Sequence, residues 1–450
     1  MKKNVLLILM LWITGSCSVL DSVAADDFDE YHEHAKEVLA NCVHDVAPRF
    51  GKRICDCGYR DEEYIAPKFE GSTTEIEIAN CKSLRIRHDS FTGLFQLTGL
   101  TIINVENLVL EPNSLDFTRN DPFARLKIYF TNSLIEEVPS HLMRGFIAEL
   151  TFTRCRIGVF RPYSITSIRE QLESLNILES FVNKIERHAF KRFDVSQLTI
   201  EGTKFITPIP FQSFYEIDVL NRFIMSNSSL YSLLPGAFTM KNVTNLIIVN
   251  SEFDNLSGDC LSMHIRNSVR MVGIYFNRID YAAFRGITLD SSYYSRHSEK
   301  PYLLFHNNRI RHLEDARSLA FSNDFNTQLR GIHVEQSITC KDVVSLKQSS
   351  LLFNHSDEIF FVSSKESFQS LHDIQRVQCL ENNFWLYLIV GVTVASIILV
   401  TIVLLISWYC MAQKRKQRQM LNIVMPEPRT YRETQIIMQI ENHGLLKTDL

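Results

Sequence analysis

The residue types that most often do chemistry in proteins are scattered along this chain rather than clustered. Its 450 residues include 10 cysteines and 14 histidines. No Gly-x-Ser-x-Gly turn, His-Glu-x-x-His helix or glycine-rich phosphate loop occurs, and no Cys-His pair stands out as a nucleophile with its base. The sequence therefore predicts that the protein is not an enzyme and holds no metal or other cofactor.

The overall charge excludes another class of function. The formal net charge is −4, with 45% hydrophobic and 22% charged residues. Such a chain lacks the basic excess of nucleic-acid-binding proteins and the polarity of disordered ones. We therefore expect a folded protein with no nucleic-acid partner.

The N-terminus carries the pattern of a secretory signal. Lys2 and Lys3 precede the short apolar run Val5–Ile13, and small residues end at Ala25. This order predicts that residues 1–25 are a signal peptide.

A second apolar segment, residues 384–411, carries no charge and is long enough to cross about 30 Å of hydrocarbon as a helix. Lys414 and Arg415 follow it, and the positive-inside rule then places residues 412–450 in the cytosol. We expect a single-pass type I protein of the plasma membrane, with its N-terminus outside the cell.

This topology predicts that some asparagine side chains are glycosylated. Four Asn-x-Ser/Thr tripeptides would face the secretory lumen and accept glycans, at Asn227, Asn242, Asn255 and Asn354.

Two overlapping motifs end the predicted cytosolic tail. Glu441, Leu445 and Leu446 match the acidic dileucine signal that clathrin adaptors read. Thr448 and the terminal Leu450 match a PDZ-domain ligand, whose carboxylate and last side chain dock as an added strand. Either motif predicts a cytosolic binding partner.

A periodic pattern of apolar residues predicts the fold that holds these side chains in place. In the stretch Val243–Leu256, Leu246 and Ile248 alternate as one face of a strand, Ser251 marks a turn, and Phe253 points back inward. This spacing is the signature of a leucine-rich repeat.

The pattern recurs with inward-facing first-strand residues at 76, 100, 128, 150, 175, 198, 223, 246, 272, 303 and 332. It predicts an α/β solenoid, a leucine-rich-repeat horseshoe with about 10–11 repeats. The repeats should occupy residues 72–337 and bury their apolar faces on one another.

The repeat register separates two cysteines from the rest. Cys155 occupies the turn position filled elsewhere by Ser, Thr or Asn, and Cys260 the small position before an inward apolar residue. Both positions point inward, so buried free thiols are expected. A disulfide between them would need Cα atoms within about 7 Å, which stacked repeats do not allow.

The repeats, the flanking cysteines and the topology together resemble extracellular leucine-rich-repeat type I membrane proteins over residues 26–411. The resemblance implies an N-terminal cysteine cap at residues 26–71, with its last cysteine at 81, and disulfides Cys42–Cys57 and Cys55–Cys81. A zinc site built from the same cysteines is the alternative.

The resemblance also implies a C-terminal cap and juxtamembrane segment at residues 338–383, closed by a Cys340–Cys379 disulfide. In this family the cap usually has four cysteines, and this chain keeps two.

Outward positions of the repeats predict the binding surface. An apolar group there should contact a protein ligand on the concave face, formed by Ile224, Ile247, Val249, Tyr275 and Phe276. A register error of one residue would instead turn these side chains inward.

The resulting hypothesis is a cell-surface adhesion or receptor-like protein that binds an extracellular or cell-surface protein. Two alternatives remain open. An auxiliary subunit of a membrane channel or receptor complex would act through its helix and tail, and a matrix-organising protein would need only its extracellular part.

Overall fold

The computed structural model describes residues 38–39, 42–44, 51–69, 71–166, 171–290, 300–347, 349–362 and 367–423. The predicted signal peptide and the tail motifs at residues 441–450 lie outside these ranges. Between Gln375 and Arg376 the chain divides into two compact units.

The first unit is a solenoid of about 12 turns, built mostly from parallel strands. Its first sheet takes one strand from each turn and pairs successive turns in register, so that Leu150 lies beside Leu175 and Leu175 beside Leu198. The strands that contribute to this sheet are Lys52–Asp56, Glu75–Ile86, Gly99–Leu110, Lys127–Thr131, Glu149–Thr153, Leu172–Leu178, Asp194–Glu201, Phe214–Ser226, Phe238–Val249, Leu261–Val272, Tyr302–His306 and Asn326–Arg330.

A second parallel sheet follows the turn that ends each first-sheet strand. It includes the distal parts of Glu75–Ile86 and Gly99–Leu110. Its other strands are Glu63–Ile65, Leu134–Val138, Arg156–Phe160, Phe181–Ile185, Lys204–Phe205, Ser229–Leu233, Glu252–Leu256, Tyr275–Ile279, Arg309–Leu313, Ile332–Ser337 and Ile359–Val362. Val38–Leu39 pairs in parallel with Glu63–Ile65.

Short strands also form on the third side of the solenoid. Leu115–Phe117 pairs with Met143–Gly145, and Phe190–Lys191 pairs with the start of Phe214–Ser226. The pairing continues through the first residues of Phe238–Val249 and Leu261–Val272 to Ile287–Leu289.

The solenoid is confirmed, but the helices expected of an α/β repeat are absent from its described turns. The third side has short strands, bends and the 3-10 helices Pro122–Ala124 and Ala316–Leu319. The reason is chain length. Only residues 234–237 separate the strand Ser229–Leu233 from the next strand, whereas an average helix needs about 11 residues.

Stacked phenylalanines fill much of the interior. Phe190, Phe214 and Phe238 come from successive turns, and their ring centroids lie 4.4 Å and 4.5 Å apart. Each ring is completely buried. Because one turn repeats the position of the last, each ring covers its neighbour and the core continues along the solenoid.

A column of polar side chains closes the turn between the first and second sheets. The Cys155 amide donates to Ser180 Oγ at 3.0 Å, and the Thr203 amide donates to Ser228 Oγ at 3.2 Å. The Ser228 amide donates in turn to Ser251 Oγ at 3.3 Å. These bonds satisfy buried backbone donors that the strands leave unpaired.

The cap disulfides predicted from the family resemblance are wrong. Cys57 is bonded to Cys81, with the Cα atoms 4.9 Å apart. The cause is the parallel pairing of Lys52–Asp56 with Glu75–Ile86, which sets Asp56 beside Ala79 and so brings Cys57 close to Cys81. Consequently neither Cys42–Cys57 nor Cys55–Cys81 forms, and zinc cannot bind the two sulfurs of the disulfide.

Cys55 lies in a different position from its neighbour Cys57. Cys42–His44 runs antiparallel to Lys52–Asp56 and places Cys42 opposite Cys55. Cys55 is completely buried and disulfide-bonded. Two residues that are close in sequence therefore serve different bonds, because Cys57 is bonded to Cys81 and Cys55 is also disulfide-bonded.

Among the described residues of the first unit, α-helices follow the strand Ile332–Ser337. They are Cys340–Lys347, Ser350–Asn354 and Leu371–Ile374, with the 3-10 helix Ser356–Glu358 between them. The strand Ile359–Val362 adds to the second sheet, and Phe368–Ser370 pairs with it in antiparallel fashion. Cys340 is disulfide-bonded.

The described part of the second unit contains one long helix, Glu381–Ile423. The π-helical segment Gln375–Leu380, which carries the disulfide-bonded Cys379, precedes it. Residues Phe384–Met420 are long and apolar enough to cross a membrane, and the most apolar window has a mean hydropathy of 3.0. The helix continues beyond the predicted end at residue 411.

Candidate binding surface

The outward side of the first sheet changes character along the solenoid. Inward residues such as Phe223 and Met225 are buried, and Ile224 between them points outward and is half-buried. The strand register aligns Asn176, Thr199, Ile224 and Ile247 across four turns. Hydroxyl and amide groups therefore give way to aliphatic ones in the later turns.

Five half-buried aliphatic side chains form what we call the apolar strip: Ile224, Ile247, Val249, Val272 and Leu304. Ile224 and Ile247 are register partners, as are Val249 and Val272, and Leu304 lies one strand further on. Side chains at paired positions on adjacent strands contact each other. The strip therefore crosses four strands, and Leu304 stands beside Arg270 rather than directly beside another strip residue.

The structure places two of the predicted contact residues elsewhere. Phe276 is 1% exposed and points into the core, where its ring lies 5.5 Å from that of Phe253 and 5.9 Å from that of Phe305. Tyr275 is on the second sheet, between Glu252 and Arg309. Neither side chain belongs to the apolar strip.

This error has a local cause at Ile274. Ile274 occupies the turn position that holds Ser251 in the preceding repeat, so the polar signal for the turn is missing. The sequence pattern alone starts the repeat at Val272, whereas the register pairs Val269 with Leu246. The Ile274 amide donates to Asn308 Oδ1 from the next turn, at 2.8 Å, as the Ser228 amide does to Ser251 Oγ.

Arg270 and Val272 escape sequence-based prediction for the same reason. Matching Val269 and Met271 to Leu246 and Ile248 would have found them, because both pairs alternate with one intervening residue. The last first-sheet strand is also misplaced in the prediction: Ile332 begins a second-sheet strand, and the first-sheet strand is Asn326–Arg330.

His306 borders the apolar strip on the side of Arg330. Its strand position lies beside both Val272 and Arg330. Burial lowers the pKa of His306, the charges of Arg330 and Arg270 lower it further, and Glu358 acts in the opposite direction. Its Nε2 atom is buried and has no hydrogen-bond partner within the described ranges.

The earlier turns present a polar and internally paired surface. Lys52 Nζ lies 3.0 Å from Glu77 Oε2, and Lys127 Nζ lies 3.6 Å from Glu149 Oε2. Burial, with the adjacent Glu149 carboxylate, raises the pKa of Tyr129 to about 12. Because these charges already have partners, this end of the sheet offers less to a ligand than the apolar strip.

The two predicted free cysteines lie in the core. Cys155 and Cys260 are both buried and form no disulfide. Cys155 continues the polar column, and its thiol donates to the carbonyl of Phe130 at 3.3 Å. Burial raises the pKa of Cys155 to about 11 and raises that of Cys260 further. Neither thiol faces the apolar strip.

The four candidate glycosylation sites differ in their surroundings. Asn227 and Asn354 are exposed. Asn242 Oδ1 accepts a hydrogen bond from Arg266. The Asn255 amide lies 3.4 Å from the hydroxyls of both Ser232 and Ser257, and its Oδ1 is buried. Asn227 and Asn354 therefore have the most room for a glycan.

Within the ranges that the structure describes, no three His, Cys, Asp or Glu side chains lie close enough together to hold a metal ion. The tail residues Glu441, Leu445, Leu446, Thr448 and Leu450 lie outside those ranges. The first sheet with its apolar strip is therefore the candidate functional surface.

No protein-family model matches the chain, and no curated protein matches it.

Proposed function

We propose that the protein is a membrane-anchored recognition protein, of the cell-surface receptor or adhesion kind, which binds a protein ligand through the apolar strip. The observation that carries this proposal is the strip itself. Exposing apolar groups to water is unfavourable by roughly 25 cal/mol per Å² of exposed area. A partner that covers them removes this cost, and the gain favours binding.

The scaffold supports a binding role in a second way. A solenoid fixes each turn on its neighbours, and here the polar column and the phenylalanine stack hold the strands on both sides of the strip. A surface on such strands keeps its shape before the partner arrives, so that little conformational entropy is lost on binding.

The proposed location combines several features. The disulfides indicate an oxidising environment, and the helix containing Phe384–Met420 is suited to a bilayer. Lys414 and Arg415 after the most apolar residues favour a cytosolic C-terminus and hence the type I orientation at the plasma membrane. The predicted signal peptide would direct the chain to that route.

We also propose that the chain is a divergent member of the leucine-rich-repeat class. The repeat length, the alternating inward residues and the polar turn position support this assignment. The strands on the third side distinguish it from members that have helices there. The tail would then act by sorting or scaffold binding, through the dileucine or the PDZ motif.

A binding screen tests this function. The full-length chain, in lipid nanodiscs, would be exposed to an array of secreted and cell-surface proteins. Each partner would be measured again with Ile247→Asp, which puts a charge at the centre of the strip. We expect at least about a tenfold loss of affinity, because the substitution removes an aliphatic contact and adds a carboxylate that must lose water when the partner covers the strip.

Ile206→Asp is the matched control. Ile206 is 48% exposed and follows the second-sheet strand Lys204–Phe205, so the same substitution should leave the partner bound. A partner that Ile247→Asp binds unchanged would contradict the proposal. A partner captured through residues 384–450 alone would support an auxiliary membrane subunit instead.

A further inference from the structure

Three arginines on the first sheet lack the carboxylate partners that most other arginines of these turns have. Arg222, Arg270 and Arg330 are exposed, and their guanidinium groups form no ion pair or hydrogen bond inside the described ranges. By contrast, carboxylates lie against six arginines elsewhere on the same turns: Arg192, Arg266, Arg278, Arg285, Arg309 and Arg317.

The three arginines form a regular diagonal across the sheet. Arg222 is the register partner of Asn245, Arg270 of Ile247, and Arg330 of His306. One strand separates each arginine from the next, and each stands two residues further along its strand. From strand spacing and rise, successive arginines lie about 12 Å apart and share one face.

The diagonal passes through the apolar strip. Ile224 and Ile247 lie between Arg222 and Arg270, and Leu304 lies between Arg270 and Arg330. Aliphatic neighbours exclude water, which strengthens the attraction between a guanidinium group and an oxyanion.

We propose that this face binds an acidic protein segment in which carboxylate side chains alternate with aliphatic or aromatic ones. The proposal rests on the function proposed above and specifies the chemistry of the partner. Guanidinium groups bind carboxylates in a two-pronged geometry, and the strip needs apolar side chains to cover it. A sulfated polysaccharide would satisfy the arginines but would leave Ile247 and Leu304 uncovered.

Selection from a random peptide library tests the proposal directly, because it does not require the natural partner. Peptides displayed on phage would be selected against the full-length chain in nanodiscs, and a heparin oligosaccharide would be assayed in parallel. We expect the selected peptides to be enriched in Asp or Glu together with Leu, Ile, Val or Phe. Their affinity should fall between about 0.05 M and about 0.5 M salt, because salt screens the charges.

Two triple variants separate local from overall charge. Arg222→Ser, Arg270→Ser and Arg330→Ser together should weaken the selected peptides by about tenfold or more. The control combines Arg192→Ser, Arg278→Ser and Arg285→Ser, which removes the same charge from exposed pairs elsewhere. The control should change affinity by less than about twofold.

The outcomes distinguish this inference from the function on which it rests. Peptides that depend on Ile247 but lack acidic residues, or that tolerate the first triple variant, would overturn the inference and leave the proposed function standing. If no captured peptide depends on Ile247, both are contradicted. Heparin binding that the first triple variant abolishes, without capture of acidic peptides, would assign the arginines to a sulfated glycan.

Discussion

Single side chains in the turns explain the order of this solenoid. Thr203 Oγ1 lies 3.4 Å from the Ser180 amide and donates to the Ile177 carbonyl at 3.0 Å, so one hydroxyl satisfies two buried backbone groups. Asn308 does the same for the turn before it, since its Oδ1 accepts from the Ile274 amide and its Nδ2 donates to the Met271 carbonyl. At these positions the polar side chain of one turn serves the backbone of the preceding turn, and Ile274 has no polar side-chain atom for that role.

Cys155 gives a prediction at this scale. Burial raises its pKa to about 11, so at pH 8 only about one thiol in a thousand is ionised. Iodoacetamide should therefore leave Cys155 unlabelled in the folded protein at pH 8, and labelling should increase as the pH approaches 11. In denaturant, without reductant, Cys155 and Cys260 should both become labelled.

Mass spectrometry of the alkylated peptides measures each site separately. Cys57 and Cys81, which are bonded to each other, should stay unlabelled in denaturant until reductant is added. Rapid labelling of Cys155 in the folded protein at pH 8 would show that the thiol is accessible and would contradict its place in the polar column.

At the scale of elements, the strands pack so closely that some positions have no room for a side chain. Gly158 is in the strand Arg156–Phe160, and a Cβ atom there would lie 2.2 Å from the carbonyl oxygen of Glu136 on the paired strand. Real contacts are never this short. Any larger residue must therefore push the two second-sheet strands apart.

Gly158→Ala should consequently destabilise the solenoid by about 2 kcal/mol or more, because backbone must move and ladder hydrogen bonds must lengthen. Gly99→Ala is the control, since its Cβ would lie 3.8 Å from Glu75 Cγ, an ordinary contact. Thermal unfolding of both variants measures the difference. Equal midpoints for Gly158→Ala and the unmodified chain would show that the strands are not packed as described.

The elements also show what the sequence could and could not predict. Leu246 and Ile248 are correctly predicted as inward residues, because alternation on a strand depends only on local geometry. The prediction places the inward residue of the next repeat at Val272 instead of Val269, a shift of three residues, because the turn signal at Ile274 is missing. The predicted cap bonds are wrong because they follow from a family resemblance, whereas strand pairing decides that Cys57 meets Cys81.

The strands on the third side illustrate a different limit. Phe238 and Met240 alternate as inward residues, but two positions are too few to decide between a strand and a helix from the sequence. The few residues between successive strands are too short a segment for a helix. Where those strands end is known only once the neighbouring turns are in place. Predicting it requires tertiary information that no single repeat contains.

At the scale of the whole molecule, the two units have different tasks. The solenoid presents the apolar strip, and the helix Glu381–Ile423 supplies a segment suited to a membrane. Each task has its own sequence signal: a period of about 24 residues for the first, and an uncharged run for the second. Their combination in one chain is what favours recognition at a cell surface.

Photo-crosslinking from the apolar strip is the sharpest test of recognition through this surface. The full-length chain would be expressed at the cell surface with p-benzoylphenylalanine in place of Ile247 or, as the control, of Ile206. After irradiation, we expect a discrete protein adduct from position 247 and none from position 206. Adducts from position 206 with none from position 247 would contradict binding through the strip.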